Sequence, residues 1–509
     1  MTLRRVALEA NDSKVGGPAA WVRPGYDNLI LDDVAICGSG TAPILGQFVA
    51  VGPYLVVSAC LDCNGGGRSD FGEVMTEAVG DCNDNLIPDS CDIASGVEQD
   101  CNGNGKPDAC DIADGTPDCN GNGVPDSCDI ASGKSEDRNN EGCTMVIGNG
   151  IPDECEVGRV IRLPYPKLIG QSGYALRSAV CEAVDGMIIE LEPGVWGPPN
   201  TSCYLCGTDL GSKRVTLRSV EGPEVTILDG LVSTTAASKT VVAIGPSAAS
   251  GGIRPVLQGL TIRLGEGGTP FPGSATPVGA GLRLLDTDAL IEDCIIELSF
   301  ASGGAGVAIK GGSPILRNCV IRHNDSMGHG GGILLIDTNA TIEDCTIFDN
   351  VAIGRGGGVH AVGGSPTIEG TLLDYNDSAS QGGGVSWMGT SAAGGRLLVD
   401  DCVVQDNLAV GGGGLWIKPG VSNLHLRATG LCGNEPEQIL GAYVDLGGNG
   451  GCGIGCPADL TGDAEVNGAD LTVLLSAWGP LGGIADLNGD GVVNGADLAA
   501  LLAAWGSCQ

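Results

Sequence analysis

The chain has 509 residues, which is too long for one compact domain unless that domain is built from repeats. Its 87 glycines and 4% aromatic content leave too little bulk for a globular core, yet a hydrophobic content of 42% is too high for a disordered chain. A net charge of −36 makes nucleic acid and anionic membranes poor partners and cations good ones. We therefore expect a repeat architecture of small turns and aliphatic strands.

Residues 1–80 carry strand signals but no motif with a known chemistry. The apolar runs Leu29–Ile36 and Phe48–Val51 predict strands of a truncated β domain. The first eleven residues contain two arginines without the apolar segment of a secretory signal, whereas the 22 cysteines favour an oxidising compartment. We predict an extracellular or cell-surface location and expect a misassigned start or a fragment. No apolar run reaches the ~18 residues of a membrane span.

Residues 81–157 repeat an acidic, cysteine-rich pattern every 18 or 19 residues, with three intact copies and a decayed copy that ends at Ile151–Cys155. Each intact copy has carboxylate or amide side chains at positions 1, 3, 5, 9 and 12 of a twelve-residue frame, which suits a cation with six to eight oxygen ligands. We predict that the following residues bind Ca²⁺: Asp81, Asn83, Asn85, Asp89 and Asp92; Asp100, Asn102, Asn104, Asp108 and Asp111; and Asp118, Asn120, Asn122, Asp126 and Asp129.

This segment resembles thrombospondin type-3 repeats. The resemblance implies calcium-wrapped, disulfide-linked loops with almost no regular structure, and three carboxylates per ion suggest affinities of roughly 10⁻⁴ to 10⁻³ M. The sequence does not choose a connectivity for the eight cysteines of the segment, which are Cys82, Cys91, Cys101, Cys110, Cys119, Cys128, Cys143 and Cys155. The alternative is a disulfide-tied acidic spacer that binds no metal.

Residues 158–450 change to short aliphatic triplets separated by glycines. The triplets follow Cys294, Cys319, Cys345, Thr371 and Cys402, and an asparagine stands five residues after the start of each of the last four, at Asn324, Asn350, Asn376 and Asn407. A period near 25 with one asparagine per repeat predicts a right-handed parallel β-helix, in which equivalent residues stack ~4.8 Å apart. We expect the asparagines to form a hydrogen-bonded ladder and the cysteines to fill the core rather than bind metal.

The start of this region resembles the pectate-lyase-like superfamily. Tyr174–Trp196 is similar to the capping helix and first coil of those proteins, and Val215–Gly222 with Thr226–Gly230 is similar to the second coil. The predicted fold class is therefore mainly β: a right-handed parallel β-helix solenoid, preceded by irregular calcium-loop repeats and followed by a small α-helical calcium domain.

Catalytic chemistry is not evident from the residues of the solenoid. A polysaccharide lyase needs an arginine or lysine base beside carboxylates, and a hydrolase needs a pair of acids. Asp325, Asp349 and Asp374 could share a face, but turn chemistry explains Asp349 and Asp406, and no histidine has triad or metal spacing. We predict a loop disulfide between Cys203 and Cys206. The candidates at strand ends are Lys310, Arg317, Arg322, His323, Asp325, His329, Asp349, Arg355, His360 and Asp374.

Residues 451–509 contain the calcium frame twice, each time followed by an apolar helix at Leu471–Trp478 or Leu498–Trp505. Position 7 offers a backbone carbonyl, and Gly491 at position 6 permits the sharp turn where the first loop has Ala464. The predicted ligands are Asp459, Thr461, Asp463, Glu465, Asn467 and Asp470 in the first loop and Asp486, Asn488, Asp490, Val492, Asn494 and Asp497 in the second.

The duplicated loop and helix resemble a type I dockerin, the module that attaches secreted glycan-degrading enzymes to cohesin-bearing scaffolds. The resemblance implies a cohesin-like partner that contacts the identical pairs Gly468-Ala469 and Gly495-Ala496. The alternative is a calcium-stapled cap without a partner, since a short domain needs a metal or crosslinks for stability.

Two functions follow from these features. The first is a secreted, calcium-binding surface or matrix scaffold whose β-helix binds glycans, such as cell-surface polysaccharide, or other surface proteins. The second is a polysaccharide lyase or glycoside hydrolase that carries a dockerin-like tail. The absence of a recognisable acid or base centre in the sequence favours the first.

Overall fold

The computed structural model divides into two compact units, Met1–Arg138 with Gly148–Cys155, and Asn139–Ile147 with Glu156–Gln509. It describes residues 2–507 apart from 10–19, 22–28, 38–43, 46–47, 51–53, 58–61, 64, 66–69, 76–78, 86, 140–147, 167–171, 198–207, 231–239, 248–251, 268–269, 273–275, 390–394, 451–457, 459, 461–464, 477, 480–484, 486 and 488–491. None of the helices in these described stretches combines the length and the hydropathy needed to cross a bilayer.

The first unit begins with a four-stranded parallel sheet. Leu29–Cys37 is its central strand and pairs with Thr2–Glu9 on one edge and with Phe48–Ala50 and Tyr54–Val57 on the other. Both runs that the sequence assigned to strands are strands. Ala20–Trp21 and Ile44–Leu45 form a separate short parallel pair.

Each cysteine-rich repeat that follows contains a short helix. The helices are α1 (Asp70–Met75), α2 (Asp89–Ser95), α3 (Asp108–Ala113) and α4 (Asp126–Ser132), and a 3-10 turn spans Asp153–Cys155. Proline fixes the entry to helices α2–α4; Pro107, for example, has φ of −57° and its carbonyl accepts hydrogen bonds from two amides of the first turn. The repeats therefore contain more regular structure than the thrombospondin resemblance implied.

The second unit contains a parallel β-solenoid, whose first strand is followed by helix α5 (Ser172–Glu182). Leu176, Ala179 and Val180 of this helix pack against the end of the core, as the capping-helix resemblance implied. Sheet 1 has eleven strands: Val160–Leu163, Ile188–Leu191, Thr216–Ser219, Val256–Gln258, Leu290–Glu292, Ile315–Arg317, Thr341–Glu343, Thr367–Glu369, Leu397–Asp400, Leu424–Arg427 and Val444–Asp445.

Sheets 2 and 3 complete the coils, with nine strands each. Sheet 2 contains Gly194–Trp196, Thr226–Asp229, Thr261–Arg263, Ile295–Glu297, Val320–Arg322, Thr346–Phe348, Leu372–Asp374, Val403–Gln405 and Gly430–Cys432. Sheet 3 contains Thr208–Asp209, Val242–Ile244, Leu282–Leu285, Val307–Lys310, Ile333–Thr338, Val359–Gly364, Val385–Trp387, Leu415–Ile417 and Ile439–Leu440.

Equivalent residues stack in the core because neighbouring coils pair in register. In sheet 1, for example, Ile291 lies beside Leu316 and Leu316 beside Ile342, and all three are fully buried. The cysteine positions confirm the sequence prediction: the four thiols are unpaired, lie at 1–2% exposure and belong to the main apolar cluster, which contains Cys294, Cys319, Cys345 and Cys402.

The asparagine ladder is also confirmed. Asn350 Nδ2 donates to Asn376 Oδ1 at 3.0 Å, and Asn350 Oδ1 accepts from Asn324 Nδ2 at 3.0 Å. The ladder continues through Asn407 to Asn434, one coil further than the sequence suggested. Glycines allow the adjoining turn to stack closely, since a Cβ on Gly332 would lie 2.7 Å from a carbonyl oxygen of the next coil.

Five coils carry an additional parallel sheet, which we call the lateral sheet and which the sequence did not predict. Its inner side chains are small and buried: Ala301, Ser326, Ala352 and Ser378. The strands are Phe300–Gly303, Asp325–His329, Val351–Ala352, Asp377–Gln381 and Leu408–Gly411.

The C-terminal region contains helices α6 (Gly468–Ser476) and α7 (Gly495–Ala503), close to the predicted positions. Glu465–Val466 pairs with Gly506–Ser507, and Val493 forms the equivalent bridge to Gly479, which gives the two halves a repeated arrangement. Their small core contains Ala458, Val466, Leu474, Ala485, Val493 and Leu501.

Candidate metal centres and binding groove

The predicted calcium ligands of the cysteine-rich repeats converge within each loop. In the second repeat, the side-chain amides of Asn102 and Asn104 approach the same Asp111 oxygen at 2.8 and 2.9 Å. Asp100 accepts backbone hydrogen bonds from inside the loop, and Asp108 Oδ1 accepts from the Cys101 amide at 3.0 Å. The first and third repeats have the same arrangement around Asp92 and Asp129.

Two carboxylate oxygens in these loops are left without a hydrogen-bond partner by the described residues. Asp108 Oδ2 and Asp129 Oδ1 are buried and have no hydrogen-bond partner in the described structure, and the two residues are 2% and 0% exposed. A buried, unsatisfied carboxylate oxygen is costly unless a positive charge compensates it. Oxygen ligands at this density fit the hard cation Ca²⁺.

The structure selects one disulfide connectivity for the repeats. The cysteine that follows the aspartate at position 1 of each repeat forms a disulfide with the cysteine in the helix of the next repeat. The bonds are Cys63–Cys91, Cys82–Cys110, Cys101–Cys128 and Cys119–Cys155. The partner of Cys91 is therefore Cys63, outside the set of eight cysteines that the sequence analysis considered. Cys143, Cys203 and Cys206 lie outside the described residues.

Cys63 belongs to an additional repeat that the sequence analysis missed. The Cys63 amide donates to Asp70 Oδ1 at 2.8 Å, as the Cys82 amide does to Asp89 at 2.9 Å. Asp70 is buried at the start of α1, and the spacing of 19 residues between Asp62 and Asp81 matches the repeat period. The tripeptide Asp-Cys-Asn at 62–64, identical to that at 81–83, was the available signal.

The decayed copy that ends at Ile151–Cys155 begins at Asp137. Asp137 accepts from the amides of Asn149 and Gly150 at 3.0 and 2.8 Å, as Asp100 accepts from the equivalent amides of its own repeat. The sequence between Asp137 and Asn149 is thus eight residues longer than the equivalent segment between Asp100 and Asn104.

The C-terminal loops are described only in their second halves. Asp470 and Asp497 are fully buried, and their Oδ2 atoms accept from the amides of Asn467 and Asn494 at 2.8 Å. Glu465 and Val492, whose carbonyls were predicted ligands, precede these asparagines by two residues. The remaining predicted ligands lie outside the described residues: Asp459, Thr461, Asp463, Asp486, Asn488 and Asp490.

A groove of about 410 Å³ runs across the outer face of sheet 1 near the start of the solenoid. Its floor includes Val256, Leu290 and Ile315, the first residues of three paired strands. The charged side chains among its lining residues are all arginines: Arg214, Arg254 and Arg317.

The three arginines differ in whether neighbouring carboxylates already neutralise their charge. Arg214 Nε donates to Asp185 Oδ2 at 2.9 Å, and Arg317 pairs with Glu292 and Glu343. Arg254 has no hydrogen bond or ion pair with any described residue. In a chain of net charge −36, this groove therefore presents an uncompensated cation above an apolar floor.

Comparison with known proteins identifies the solenoid. A family model described as "Right handed beta helix region" matches residues 275–429. The solenoid is a right-handed β-helix. Among solved structures, the crystal structure of Dettilon tailspike protein (gp208) aligns with 54% of this chain and 64% of that chain, at 12% sequence identity and a TM-score of 0.21. No curated protein matches the chain.

The catalytic candidates are distributed over every face of the β-helix. Arg317 lies on sheet 1; Arg322 and Asp374 on sheet 2; Lys310 and His360 on sheet 3; Asp325 and His329 on the lateral sheet; His323 and Asp349 at the corner after sheet 2; and Arg355 at the entry to sheet 3.

One carboxyl group on sheet 2 has a perturbed environment. Burial first, and then the negative charges of Asp406 and Asp349, raise the pKa of Asp374 against the opposing hydrogen bond from Gln405. Asp374 Oδ1 is buried without a hydrogen-bond partner among the described residues. Of the three carboxylates that the sequence allowed to share a face, Asp374 lies on sheet 2, Asp349 lies at the corner after that sheet, and Asp325 is exposed on the lateral sheet.

Two histidines stack where the lateral sheet meets sheet 3. The rings of His329 and His360 lie 4.6 Å apart, His360 Nδ1 is 3.1 Å from Ser386 Oγ, and the Arg355 amide donates to His329 Nδ1 at 2.9 Å. The Arg355 guanidinium lies 5.1 Å from the Trp416 ring. Burial, followed by His329 and Arg355, lowers the pKa of His360 to about 3; burial and Arg355 also lower the pKa of His329.

Proposed function

We propose that this protein is an extracellular, calcium-binding β-helix scaffold that binds acidic polysaccharide in the sheet 1 groove. The observation that carries the proposal is the groove itself, whose charged lining consists of arginines over an apolar floor. Guanidinium groups bind carboxylates through paired hydrogen bonds, and the aliphatic floor suits the apolar faces of sugar rings.

The shape of the groove supports an extended ligand. Its floor crosses the paired residues Thr216, Val256, Leu290 and Ile315, so it spans three coil steps, or about 14 Å along the β-helix axis. A carboxylated polymer lying along this axis would pass Arg254 and the two partly paired arginines in turn.

The experiment is affinity electrophoresis of the full chain through gels containing polygalacturonate, alginate or xylan, with calcium present. The Arg254→Ala variant should lose most of its retardation by the two acidic polymers, because it removes the unpaired cation. Arg396→Ala is the matched control: Arg396 holds the equivalent position five coils away, about 24 Å along the axis. Equal retardation of parent and Arg254→Ala would overturn the assignment of the groove.

Glycan cleavage is a second candidate function, which the environment of Asp374 favours. A carboxyl group with a raised pKa beside two carboxylates has the properties of a general acid. The same polysaccharides should be assayed for new reducing ends and for unsaturated products that absorb ultraviolet light. Sustained turnover by the parent protein, together with its loss in the Asp374→Asn variant, would show that the protein is an enzyme rather than a binding scaffold.

We further propose that the cysteine-rich repeats bind Ca²⁺ through the predicted side chains. The buried, unpartnered oxygens of Asp108 and Asp129 support this assignment. Bound calcium would neutralise the loop carboxylates and stabilise the fold of the repeats.

A cohesin-like partner for the C-terminal domain is also a proposal. Gly468-Ala469 and Gly495-Ala496 are exposed at the starts of α6 and α7. Beyond them, the two halves expose equivalent apolar residues 27 positions apart, which are Leu475 and Leu502, and Trp478 and Trp505. A partner that recognises either half in the same way would account for this repetition.

A further inference from the structure

The outer face of the lateral sheet carries rows of large apolar side chains between acidic rows. The outward side chains of its strands and of the turns that follow them include six large apolar residues at 39–73% exposure: Phe300, Met327, Val351, Ile353, Leu408 and Val410. Leu298 and Tyr375, at the corners before the lateral strands, are 45% and 62% exposed. We call these eight residues the lateral face.

The lateral face has a large apolar area. Its eight side chains present on the order of 700 Å² of apolar surface, divided by the acidic rows of Asp325 and Asp377. A standard protein–protein interface buries ~800 Å² per partner. The area is therefore close to what a stable dimer needs.

Small buried residues form the inner side of the lateral sheet. Ser378 Oγ donates to the Gly354 carbonyl at 2.7 Å, and Ala352 is fully buried.

Charge along the face repeats in a symmetric order. One column of paired residues contains, in succession, Glu266, Phe300, Asp325, Val351, Asp377, Leu408 and Glu435. The order of apolar and acidic rows is the same in both directions from Val351. Two such sheets that stack about a two-fold axis in their interface therefore bring apolar rows onto apolar rows, whether the two β-helices run parallel or antiparallel. Carboxylates then face carboxylates across the ~10 Å that separates stacked sheets.

We propose that the lateral face is the contact surface between two copies of this chain. The carboxylates within it and the net charge of −36 oppose docking on an anionic membrane. Because the facing carboxylates repel each other, the dimer is strengthened by salt that screens them, in contrast to a contact driven by opposite charges.

The test is sedimentation equilibrium of the full chain, at fixed calcium, from low to high micromolar concentration and at low and high sodium chloride. The parent protein should form dimers, with a larger dimer fraction at high salt. The variant Ile353→Asp/Val410→Asp should raise the dimer Kd by more than roughly tenfold, because both side chains enter the contact. Both residues are more than half exposed, so the variant should keep the parent's melting temperature.

Val225→Asp is the control, since Val225 is an exposed valine of the β-helix outside the lateral sheet. A parent that stays monomeric at every concentration and salt, or a double variant that dimerises like the parent, would overturn the proposal. Co-sedimentation of a monomeric parent with phosphatidylcholine vesicles would also overturn it and assign the face to a lipid surface.

Discussion

Single residues with left-handed backbone conformations form the corners of the β-helix. Asp349 and Asp406 have φ of 56° and 51° and immediately precede the buried ladder asparagines. Aspartate and asparagine adopt this conformation more readily than most residues, so the turn interpretation made from the sequence is confirmed. The left-handed turn therefore accounts for the acidic residues at these two corners without a catalytic role.

The stacked histidines predict a pH dependence at the scale of single residues. In the folded protein the pKa of His360 is about 3 and that of His329 is lowered, whereas both titrate near 6.5 when unfolded. The unfolded chain therefore binds more protons as the pH falls from 6.5 toward 3. The free energy of unfolding should fall over this window, by up to ~1.4 kcal/mol per pH unit for a fully neutral histidine.

Urea unfolding monitored between pH 7 and pH 4 measures this slope. The His360→Gln variant should show a smaller loss of stability on acidification than the parent, whatever its stability at neutral pH. Ser386→Ala removes the hydroxyl beside His360 but keeps both imidazoles, so it should retain the parental slope. Identical slopes in parent and His360→Gln would show that this histidine is not buried in its neutral form.

At the scale of the structural element, the ladder links one coil to the next. Asn350 Nδ2 donates to the Ile321 carbonyl as well as to the next asparagine, while its Oδ1 accepts from the Asn324 amide and side chain. Each asparagine thus satisfies backbone groups at a corner where the sheets are interrupted. The amide side chain is required because it both donates and accepts.

The variant Asn350→Ala should destabilise the β-helix by about 1–3 kcal/mol for each buried polar group that it leaves without a partner. Chemical denaturation followed by far-ultraviolet circular dichroism measures the change. Asn339→Ala is the control, because Asn339 is exposed and its Oδ1 accepts a single hydrogen bond from the Ser365 amide. Unfolding of Asn350→Ala at the parental denaturant concentration would contradict the ladder's structural role.

For the whole molecule, the net charge of −36 makes stability depend on cations. The proposed calcium sites place several of these carboxylates in loops whose affinity is expected at ~10⁻⁴ to 10⁻³ M. At ~10 mM calcium, each occupied site then stabilises the repeats by about 1.4–2.7 kcal/mol. Calcium should therefore affect the melting of the repeats more than that of the β-helix.

Calorimetry of the full chain with calcium and with a chelator tests this expectation. Chelation should lower the melting transition of the repeats, and Asp129→Asn should reduce the calcium-dependent shift because it removes the negative charge of a buried, proposed ligand. Asp114→Asn serves as the control, since the Asp114 side chain is 75% exposed and lies outside the loops. If the melting transition of the repeats in the parent protein did not depend on calcium, the repeats would be disulfide-tied spacers that bind no metal.

The sequence by itself determined the features that repeat along the chain. The β-helix, its cysteine core and its asparagine ladder were predictable because stacked coils place equivalent residues in equivalent environments, which leaves a visible period. The same reasoning located the convergent loop side chains around Asp92, Asp111 and Asp129, because those side chains lie within twelve residues of one another.

Only the tertiary structure decided the features that depend on contacts between distant segments or on register. It brought Arg214, Arg254 and Arg317 into one groove across more than one hundred residues of sequence, and it paired Cys63 with Cys91. It also turned the short segments around Phe300 and Met327 into strands of the lateral sheet. Such segments are too short and too mixed in polarity to show a strand period, and they become strands only because the neighbouring coils supply their hydrogen-bond partners.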